Sequence, residues 1–347
     1  MPQALFVHAA GDLRLGDVPD DALGPTQVRI AMKRGGICGS DLHYFNHGGF
    51  GAITLKEPMI LGHEVAGEVV EIGNDVTDLA VGTLCAVSPS RPCRACVECL
   101  RGLPNHCLNM RFYGSAMPFP HIQGAFRDTL VADASQCVSA TGIPAAHAAM
   151  AEPLAVALHA MTRAGDLVGK RVLVTGCGPI GALVILAARR AGAAEIIATD
   201  IMAPALKVAK AVGANVTLNT ADLPDALAPY ATGKGTLDVL FECSGAAAAL
   251  SAGIAALRPR AQVVQLGLSG DMSLPMMQIT GKELALKGSF RFHEAFPLAV
   301  QMMQQELIDV SPLLSHSFPL ADFDAAFAMA NDKSQAMKVQ LVFGKEA

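Results

Sequence analysis

The chain has 347 residues, of which 52% are hydrophobic and 16% are charged. It is too long for one ordinary core and too apolar to be disordered, so two domains are expected. With 26 basic and 31 acidic residues the formal net charge is −5. The chain therefore lacks the basic surface that a nucleic-acid or anionic-membrane partner requires.

The amino terminus, Met1-Pro2-Gln3-Ala4, has no charged segment followed by an apolar core. No secretory signal is predicted, and a cytoplasmic location is expected. The uncharged stretch 172–188 is broken by glycine and proline and is shorter than the roughly 20 apolar residues that span a bilayer. No membrane partner is therefore expected.

Short β-prone runs separated by glycine and proline fill the chain to about residue 142. They predict a β-rich domain over residues 1–152. Its predicted strands are 28–32, 65–70, 83–87 and 126–131.

From about residue 145, strand-like runs alternate with helical ones. The pattern predicts an α/β protein whose second domain, 153–288, is a parallel sheet with helices on both faces. Residues 289–347 are too few for a third domain and are expected to return to the first one. The predicted strands are 171–175, 195–199, 215–218, 237–242, 262–266, 284–289 and 339–343, and the predicted helices are 179–191, 204–212, a segment ending at 257, and 296–306.

A glycine motif of the form G-x-G-x-x-G follows the strand predicted at 171–175 and opens the next helix. In a strand–loop–helix unit this motif is typical of a dinucleotide site. The first glycine allows the turn, the second leaves room for a pyrophosphate, and the third lets helix and strand approach closely. Glycine-rich packing without a ligand is the alternative. The candidate cofactor-binding residues are Gly176, Gly178, Pro179, Ile180 and Gly181.

Asp200 ends the next predicted strand. A carboxylate there can accept hydrogen bonds from an adenosine ribose diol and would repel a 2′-phosphate. NAD is therefore favoured, while NADP stays possible because Lys207 or a loop could compensate.

Four cysteines follow the spacing C-x2-C-x2-C-x7-C, which lets one short loop place four thiolates around a single Zn²⁺. Such a site has no open position, so its expected role is structural. An iron–sulfur cluster uses related spacings and is the alternative. The four residues are Cys93, Cys96, Cys99 and Cys107, in a lobe spanning about 88–110.

A second group of possible ligands is scattered along the chain. Cys38 lies on a glycine-rich turn, His63 and Glu64 directly precede a predicted strand, and Glu152 precedes the second domain. Taken singly, a histidine is more often a satisfied core or surface residue, and Glu152 could cap a helix. Their joint occurrence is what indicates a site.

Together these motifs resemble the zinc-containing medium-chain dehydrogenase/reductase family over essentially the whole chain. The resemblance implies a GroES-like catalytic domain joined to a Rossmann domain, with the active site in the cleft between them. The matching motifs are Gly62-His63-Glu64 with Gly67, Cys38-Gly39-Ser40-Asp41, the four-cysteine lobe, Glu152-Pro153 and the glycine motif.

In the polyol branch of this family, which the chain resembles, Cys38, His63 and a carboxylate would hold a catalytic zinc, giving two zinc ions per subunit. Either Glu64 or Glu152 can be that carboxylate. The resemblance also implies a proton relay through Ser40 and the cofactor ribose to His43.

Within the branch the chain is most similar to members that act on the sugar acid L-idonate, through 110–117, 119–121 and 288–292. This similarity implies reversible hydride transfer from C5 of L-idonate to NAD(P)⁺, giving 5-keto-D-gluconate. Arg111 and Arg291 could bind the carboxylate, and Tyr44 would line the pocket. A sorbitol, xylitol or galactitol dehydrogenase is the alternative.

Three further expectations concern other classes and assembly. A zinc-ribbon interaction module would leave Cys38, His63 and Glu64 unexplained, and a zinc-free enone or quinone reductase would not keep these ligands. The apolar region 263–277 could join subunits, and the family resemblance implies a homodimer or homotetramer.

Overall fold

The computed structural model describes residues 1–268 and 270–344, so the last three residues of the predicted return segment lie outside the described residues. The strands are β1 (Gln3–Ala9), β2 (Asp12–Asp17), β3 (Gln27–Gly36), β4 (Gly49–Phe50), β5 (Ile53–Thr54), β6 (Met59–Ile60), β7 (Glu64–Ile72), β8 (Leu84–Val87), β9 (Ser90–Arg91), β10 (Arg111–Phe112), β11 (Thr129–Asp133), β12 (Cys137–Ser139), β13 (Arg171–Thr175), β14 (Glu195–Asp200), β15 (Val216–Asn219), β16 (Leu237–Glu242), β17 (Leu257–Gln265), β18 (Ala285–Gly288), β19 (Leu314–Pro319) and β20 (Lys338–Val342). The helices are α1 (Gly39–His47), α2 (Val97–Leu100), α3 (Ala145–Ala148), α4 (Ala151–Ala164), α5 (Pro179–Arg190), α6 (Ala203–Ala211), α7 (Ala247–Ala256), α8 (Met276–Gly281), α9 (Ala295–Gln304) and α10 (Phe323–Asn331).

The first large sheet is mixed and has the order β12-β8-β7-β3-β20-β19, with β11 also pairing with β3. Strands β3 and β7 pair antiparallel, with Gly36 opposite Glu64. Strand β20 lies antiparallel to the end of β3 and parallel to β19. The carboxyl-terminal strands β19 and β20 therefore belong to the first sheet.

The second sheet has six parallel strands in the order β15-β14-β13-β16-β17-β18. Parallel strands buried on both faces need continuous apolar runs, and Val172, Leu173 and Val174 of β13 are fully buried. The strand order reverses between β13 and β16, which opens a ligand crevice at their carboxyl ends. The predicted doubly wound parallel sheet is confirmed.

Helix α4 is the main element that the sequence did not predict. Its 14 residues are mostly buried, and its less buried residues Val156, His159 and Arg163 follow helical spacing, so a one-sided pattern was available in the sequence. It packs against α5 and α9 and also touches β7, so it joins the two sheets. Among the described residues no helix is both long and apolar enough to cross a membrane.

Further differences lie in the first domain. Strand β11 begins at Thr129 rather than at 126, because the amide of Phe126 donates to the Leu61 carbonyl and its carbonyl accepts from Leu5 instead of continuing the ladder. Strand β19 and helix α10 were not predicted.

Lys282 caps a helix from a distant turn. Its Nζ donates to the carbonyls of Ile254, Ala255 and Leu257 at 3.0, 2.8 and 2.8 Å, and these carbonyls lie at the end of α7. A cation at this helix end also meets the negative end of the helix dipole.

We expect Lys282→Met to lower the free energy of unfolding by about 1–3 kcal/mol, because carbonyls bonded to a charged donor would lose their partner. Denaturant unfolding measures this. Lys234→Met, at an exposed position, is the control and should change stability by less than about 0.5 kcal/mol. Equal effects of the two changes would contradict the capping role.

Candidate functional site

Cys38, His63 and Glu64 come together at the edge of the first sheet. One ligand atom from each, the Cys38 Sγ, a His63 ring nitrogen and a Glu64 carboxylate oxygen, lies within 4.8 Å of the others. Cys38 immediately precedes α1, and His63 and Glu64 lie at the start of β7. Strand pairing places the end of β3, just before Cys38, opposite Glu64. The structure thus brings together three of the four predicted metal-binding residues.

Asp41 supports this cluster, a role that the sequence analysis did not assign. Its buried carboxylate accepts hydrogen bonds from the amides of Cys38 at 2.9 Å and Gly62 at 3.2 Å. It also lies 3.8 Å from Nδ1 of His63, a buried atom without a hydrogen-bond partner in the described part of the chain. Because Nδ1 faces Asp41, Nε2 is the nitrogen available to a metal. In the sequence, the position of Asp41 three residues after Cys38 was the signal that could have identified it.

Lys338 is the second residue that the sequence analysis missed. Its Nζ lies 2.8 and 2.7 Å from the two carboxylate oxygens of Glu64, and both residues are almost fully buried. Burial alone would lower the pKa of Lys338, but the nearby Glu64, Cys38 and Glu152 anions raise it above its ordinary value. No local motif could have identified a partner 274 residues away in the sequence.

Glu152 lies in the first turn of α4 and is buried beside the cluster, although it does not belong to the group whose ligand atoms lie within 4.8 Å. Burial, together with the charges of Glu64 and Cys38, raises its pKa to about 8. Burial and Glu64 likewise raise the pKa of the Cys38 thiol to about 12.

The raised pKa values of Cys38 and Glu152 bear on whether the site suits a metal ion. The Cys38 thiol and the Glu152 carboxyl group, whose pKa values are raised by burial, become good ligands when a dication balances their charge. Thiolate, imidazole and carboxylate are the donors that Zn²⁺ prefers. The residues therefore fit a zinc ion.

Ser40 and His43 lie three residues apart in α1, so they share one face of the helix. Ser40 is half-buried and His43 is exposed. Partial burial, with the charges of His47 and Lys333, lowers the pKa of His43. A lowered pKa keeps the imidazole neutral and able to accept a proton at neutral pH.

Tyr44 and Arg291 line one side of the cluster. The buried Tyr44 hydroxyl accepts the Ala116 amide at 3.0 Å. The Arg291 guanidinium lies 4.2 Å from the ring centre of Phe112 and 5.1 Å from that of Phe290. Within residues 1–268 and 270–344 it makes no ion pair, and its one side-chain hydrogen bond goes to Sδ of Met117.

Arg111 is placed differently. It is exposed on β10, where it pairs with Arg91 across the strand. Its neighbour Phe112 contacts the His63 ring, with 5.6 Å between ring centres. Successive side chains of a strand point to opposite faces, so the structure brings Phe112, and not Arg111, to the cluster.

The four cysteines of the lobe converge as the spacing predicted. Ligand atoms of Cys93, Cys96, Cys99 and Cys107 lie within 4.8 Å of one another. Backbone amides donate to their sulfurs, and hydrogen bonds from Ala95, Asn109 and Cys96 lower the pKa of Cys93 to about 6. A closed set of four sulfurs fits a structural zinc.

The glycine motif forms an open cradle between β13 and α5. Gly176 has a left-handed φ of 81°, and a Cβ there would lie 2.7 Å from Ser244. A Cβ on Gly181 would lie 1.8 Å from the Gly176 carbonyl oxygen, whereas one on Gly178 would meet nothing within 4 Å. The free space at Gly178, at the start of α5 where Pro179 and Ile180 follow, fits a pyrophosphate at a helix N-terminus.

Two carboxylates shape this cradle. Asp200 accepts hydrogen bonds from the amides of Cys177 and Met202 at 2.6 and 2.8 Å, which fixes it beside the glycine loop. Glu242, buried at the end of β16, accepts from the amides of Ser244 and Gly245 and from Nε2 of Gln265. No sequence motif pointed to Glu242. Its position at the end of a predicted strand was the signal that could have identified it.

Comparison with known families identifies both parts of the chain. Residues 24–144 match the family described as "Alcohol dehydrogenase GroES-like domain". Residues 179–305 match the family described as "Zinc-binding dehydrogenase".

Individual relatives agree with these matches. The L-idonate 5-dehydrogenase (NAD(P)(+)) of Escherichia coli strain K12 is 44% identical over 319 residues, which cover 90% of this chain and 91% of that protein. Sorbitol dehydrogenase of Bos taurus is 35% identical over 343 residues, with 97% and 95% covered. The crystal structure of L-idonate 5-dehydrogenase from E. coli K-12 MG1655 superimposes with a TM-score of 0.95 at 41% identity, covering 99% of this chain and 98% of that one.

The open space at Gly178 leads to a prediction. Gly178→Val should fold normally, because its Cβ meets no neighbour, but the larger side chain would fill the space left for the pyrophosphate. We expect at least about a 10-fold rise in the dissociation constant of NADH, measured by fluorescence titration.

Zinc content and the unfolding transition of Gly178→Val are the controls, and both should match the parent protein. Unchanged NADH affinity would show that the pyrophosphate binds elsewhere.

Proposed function

The chain belongs to the zinc-binding alcohol dehydrogenase family with a GroES-like domain, and we propose that its substrate is L-idonate, oxidised at C5 to 5-keto-D-gluconate. As a member of this family it is an oxidoreductase that uses zinc and a nicotinamide dinucleotide. The E. coli relative whose name contains L-idonate supports the substrate assignment.

The observation that carries the substrate proposal is the unpaired Arg291 guanidinium. It contacts two aromatic rings at 4.2 and 5.1 Å, which fixes its orientation. Among the described residues it makes no ion pair, and Glu152 is the acid whose charge acts on it. Its backbone has a left-handed φ of 53°, a conformation that costs a residue other than glycine about 1 kcal/mol or more and is kept mainly where function needs it. A substrate carboxylate would balance the charge.

The spacing of the site suits a six-carbon acid. The Phe112 ring centre lies 5.6 Å from that of His63 and 4.2 Å from the Arg291 guanidinium. The imidazole and the guanidinium therefore lie within about 10 Å of each other. In an extended hexonate C1 and C5 are roughly 5 Å apart, since four C–C bonds join them. The carboxylate could thus reach Arg291 while the C5 hydroxyl reaches the cluster.

We assign the catalytic zinc to Cys38, His63 and one of Glu64 and Glu152, and the structural zinc to the four cysteines of the lobe. When bound, the catalytic zinc supplies the Lewis acidity that allows a secondary alcohol to give up its proton near neutral pH. Tyr44 closes the pocket beside Arg291. Arg111, exposed on β10, is not placed at the substrate carboxylate in this proposal.

The reaction moves a hydride and a proton by separate routes. A bound nicotinamide would accept the hydride from C5, which would become a ketone as NAD(P)⁺ is reduced. Ser40 would accept the hydroxyl proton, and His43 would deliver it to solvent. The exposed position of His43 and its lowered pKa suit this last step.

The glycine cradle would hold the cofactor in this proposal. Gly176, Gly178, Pro179, Ile180 and Gly181 would bind the pyrophosphate. Asp200 would bind the adenosine ribose, which favours NAD over NADP.

A polyol dehydrogenase acting on sorbitol, xylitol or galactitol is the second candidate. The 35% identity to bovine sorbitol dehydrogenase favours it. The two candidates differ only in whether the substrate carries the carboxylate that Arg291 would bind.

Assembly and location are further parts of the proposal. Strand β18 lies at the edge of the parallel sheet, and exposed apolar side chains surround it, including Met277 at 89% exposure. An unpaired edge with apolar neighbours favours pairing with a second copy, so we infer a homo-oligomer. Sites built from thiolates suit the reducing cytoplasm.

The domain division 1–152, 153–288 and 289–347 also stays a proposal. It is supported by sheet membership, since β13 to β18 form one sheet and β20 pairs with β3.

We expect Arg291→Leu to lower kcat/KM for L-idonate by about 10–100-fold, because a charge-assisted hydrogen bond to the carboxylate would be lost. Activity with sorbitol should change by less than about 3-fold, since a neutral polyol has no carboxylate. Initial rates of NAD⁺ and NADP⁺ reduction on idonate, gluconate, sorbitol and xylitol measure both effects.

Arg111→Leu is the matched control and should leave the idonate-to-sorbitol ratio unchanged. If the parent enzyme prefers sorbitol to idonate, the polyol dehydrogenase assignment replaces the present one.

His43 predicts a pH dependence. The pKa of His43 is lowered from its ordinary value of 6.5, so the imidazole stays neutral when the pH falls to 6.5. Oxidation should therefore decline on the acid side only as the pH falls below 6.5. In His43→Gln we expect kcat/KM to fall by roughly 10-fold or more and this acid limb to disappear. Rates from pH 5 to 8 test this, and an unaltered limb in the variant would exclude His43 from the relay.

A further inference from the structure

We propose that Asn105, in the four-cysteine lobe, is a positioning residue that holds the segment carrying Arg291 and so sets how well a substrate carboxylate is bound. The inference rests on the proposed binding of that carboxylate by Arg291. It gives the lobe a part in substrate selection, beyond holding a structural zinc.

The contact between the lobe and the segment of Arg291 is direct. Nδ2 of Asn105 donates to the carbonyl oxygen of Phe290 at 3.1 Å, and Phe290 directly precedes Arg291. Beside this bond the rings of His106 and Phe290 stack, with 5.9 Å between their centres and 27° between their planes. A hydrogen bond and a ring contact thus join two segments that lie 185 positions apart in the chain.

The lobe gives Asn105 a firm base. Asn105 lies in the single helical turn Pro104–His106, which ends at Cys107. The amide of Cys107 donates to the Pro104 carbonyl at 3.1 Å, and its sulfur belongs to the set of four that converge. A closed zinc site contributes folding energy to the loop that carries it. Asn105 is also only 7% exposed, so its side chain has little freedom to turn away.

The backbone at Arg291 needs such a support. Its left-handed φ of 53° is a conformation that persists only where surrounding contacts enforce it. Because a peptide unit is planar, the direction of the Phe290 carbonyl sets the direction of the Arg291 amide, and rotation of this unit changes φ of Arg291. On either side, the Ser289 amide is bonded to the parallel sheet and Phe292 is buried. Asn105 therefore holds the peptide unit on which the left-handed conformation depends.

The lobe also holds both rings that the guanidinium contacts. The Arg291 guanidinium lies 5.1 Å from the centre of the Phe290 ring and 4.2 Å from that of Phe112. Phe290 is held by Asn105, and Phe112 lies on β10, which follows the lobe and pairs with β9 before it. Binding a carboxylate through two parallel hydrogen bonds requires an oriented guanidinium. A shift of the Phe290 peptide would therefore weaken binding of an acid but not of a neutral polyol.

The first test is Asn105→Leu, which removes the donor and keeps a side chain of similar size. We expect the KM for L-idonate to rise by about 3–10-fold, as for the loss of one hydrogen bond. We expect kcat with idonate, and kcat/KM with sorbitol, to change by less than about 2-fold, because the reacting groups stay in place. Steady-state rates measure this split. If Asn105→Leu does not fold, Asn105→Ala, which only removes atoms, provides the same comparison.

Asn109→Leu is the matched control. Asn109 lies in the same lobe, but its Nδ2 donates to the Cys93 sulfur, at 3.6 Å, and not to the Phe290 carbonyl. The ratio of idonate to sorbitol kcat/KM should therefore equal that of the parent enzyme. An equal fall of this ratio in the two variants would trace the effect to a disturbed lobe and overturn the proposal.

A double variant shows whether Asn105 acts through Arg291. In an Arg291→Leu background the guanidinium is gone, so adding Asn105→Leu should change the idonate KM by less than about 2-fold, since coupled residues are not additive. The full 3–10-fold rise in that background would contradict a role through Arg291.

Hydrogen exchange gives a readout that needs no substrate. We expect the amides of residues 289–293 to exchange at least about 3-fold faster in Asn105→Leu, because the segment opens more often, and at the parent rate in Asn109→Leu. Unchanged exchange in Asn105→Leu would overturn the proposal. A parent enzyme that oxidises sorbitol but not idonate would refute the substrate assignment instead, and the exchange rates would still decide whether Asn105 holds the segment.

Discussion

The proposed active site depends on the balance of charge in a small buried volume. The Cys38 thiol and the Glu64 and Glu152 carboxyls lie in surroundings that raise the pKa of Cys38 and Glu152. Buried anions are tolerated only when cations accompany them. One cation is the Lys338 ammonium, and the other is the zinc that this family binds. The chemistry follows from this balance, because a zinc ion held by few charged ligands stays a strong Lewis acid.

The need to balance charge also accounts for which segments of the chain meet at the site. The first sheet supplies Cys38 and His63, α4 supplies Glu152, and the carboxyl-terminal strand returns to supply Lys338. Arg291 arrives just after β18, the last strand of the parallel sheet. The site therefore lies where the two sheets meet, and α4 holds them together by packing against elements of both. A cleft between two parts that share a helix can hold a dinucleotide on one side and a substrate on the other.

Much of the fold and part of the site could be predicted from the sequence, because the signals were local. The strands at 171–175 and 237–242 have the predicted bounds, since buried parallel strands are continuous apolar runs. The glycine motif and the four cysteines were readable because each acts within one loop. Helix α4 was not predicted, although its less buried residues Val156, His159 and Arg163 follow helical spacing.

The sequence by itself determined which chemical groups are present: a dinucleotide cradle, a closed set of four thiols, and a thiol, an imidazole and two carboxyls able to bind a second metal. Only the tertiary structure decided how they are used. It paired Glu64 with Lys338, placed Asp41 behind His63, and turned Arg291 toward the cluster while leaving Arg111 exposed. These relations join residues far apart in the chain, and strand pairing and helix packing, which no local pattern records, bring them within bonding distance.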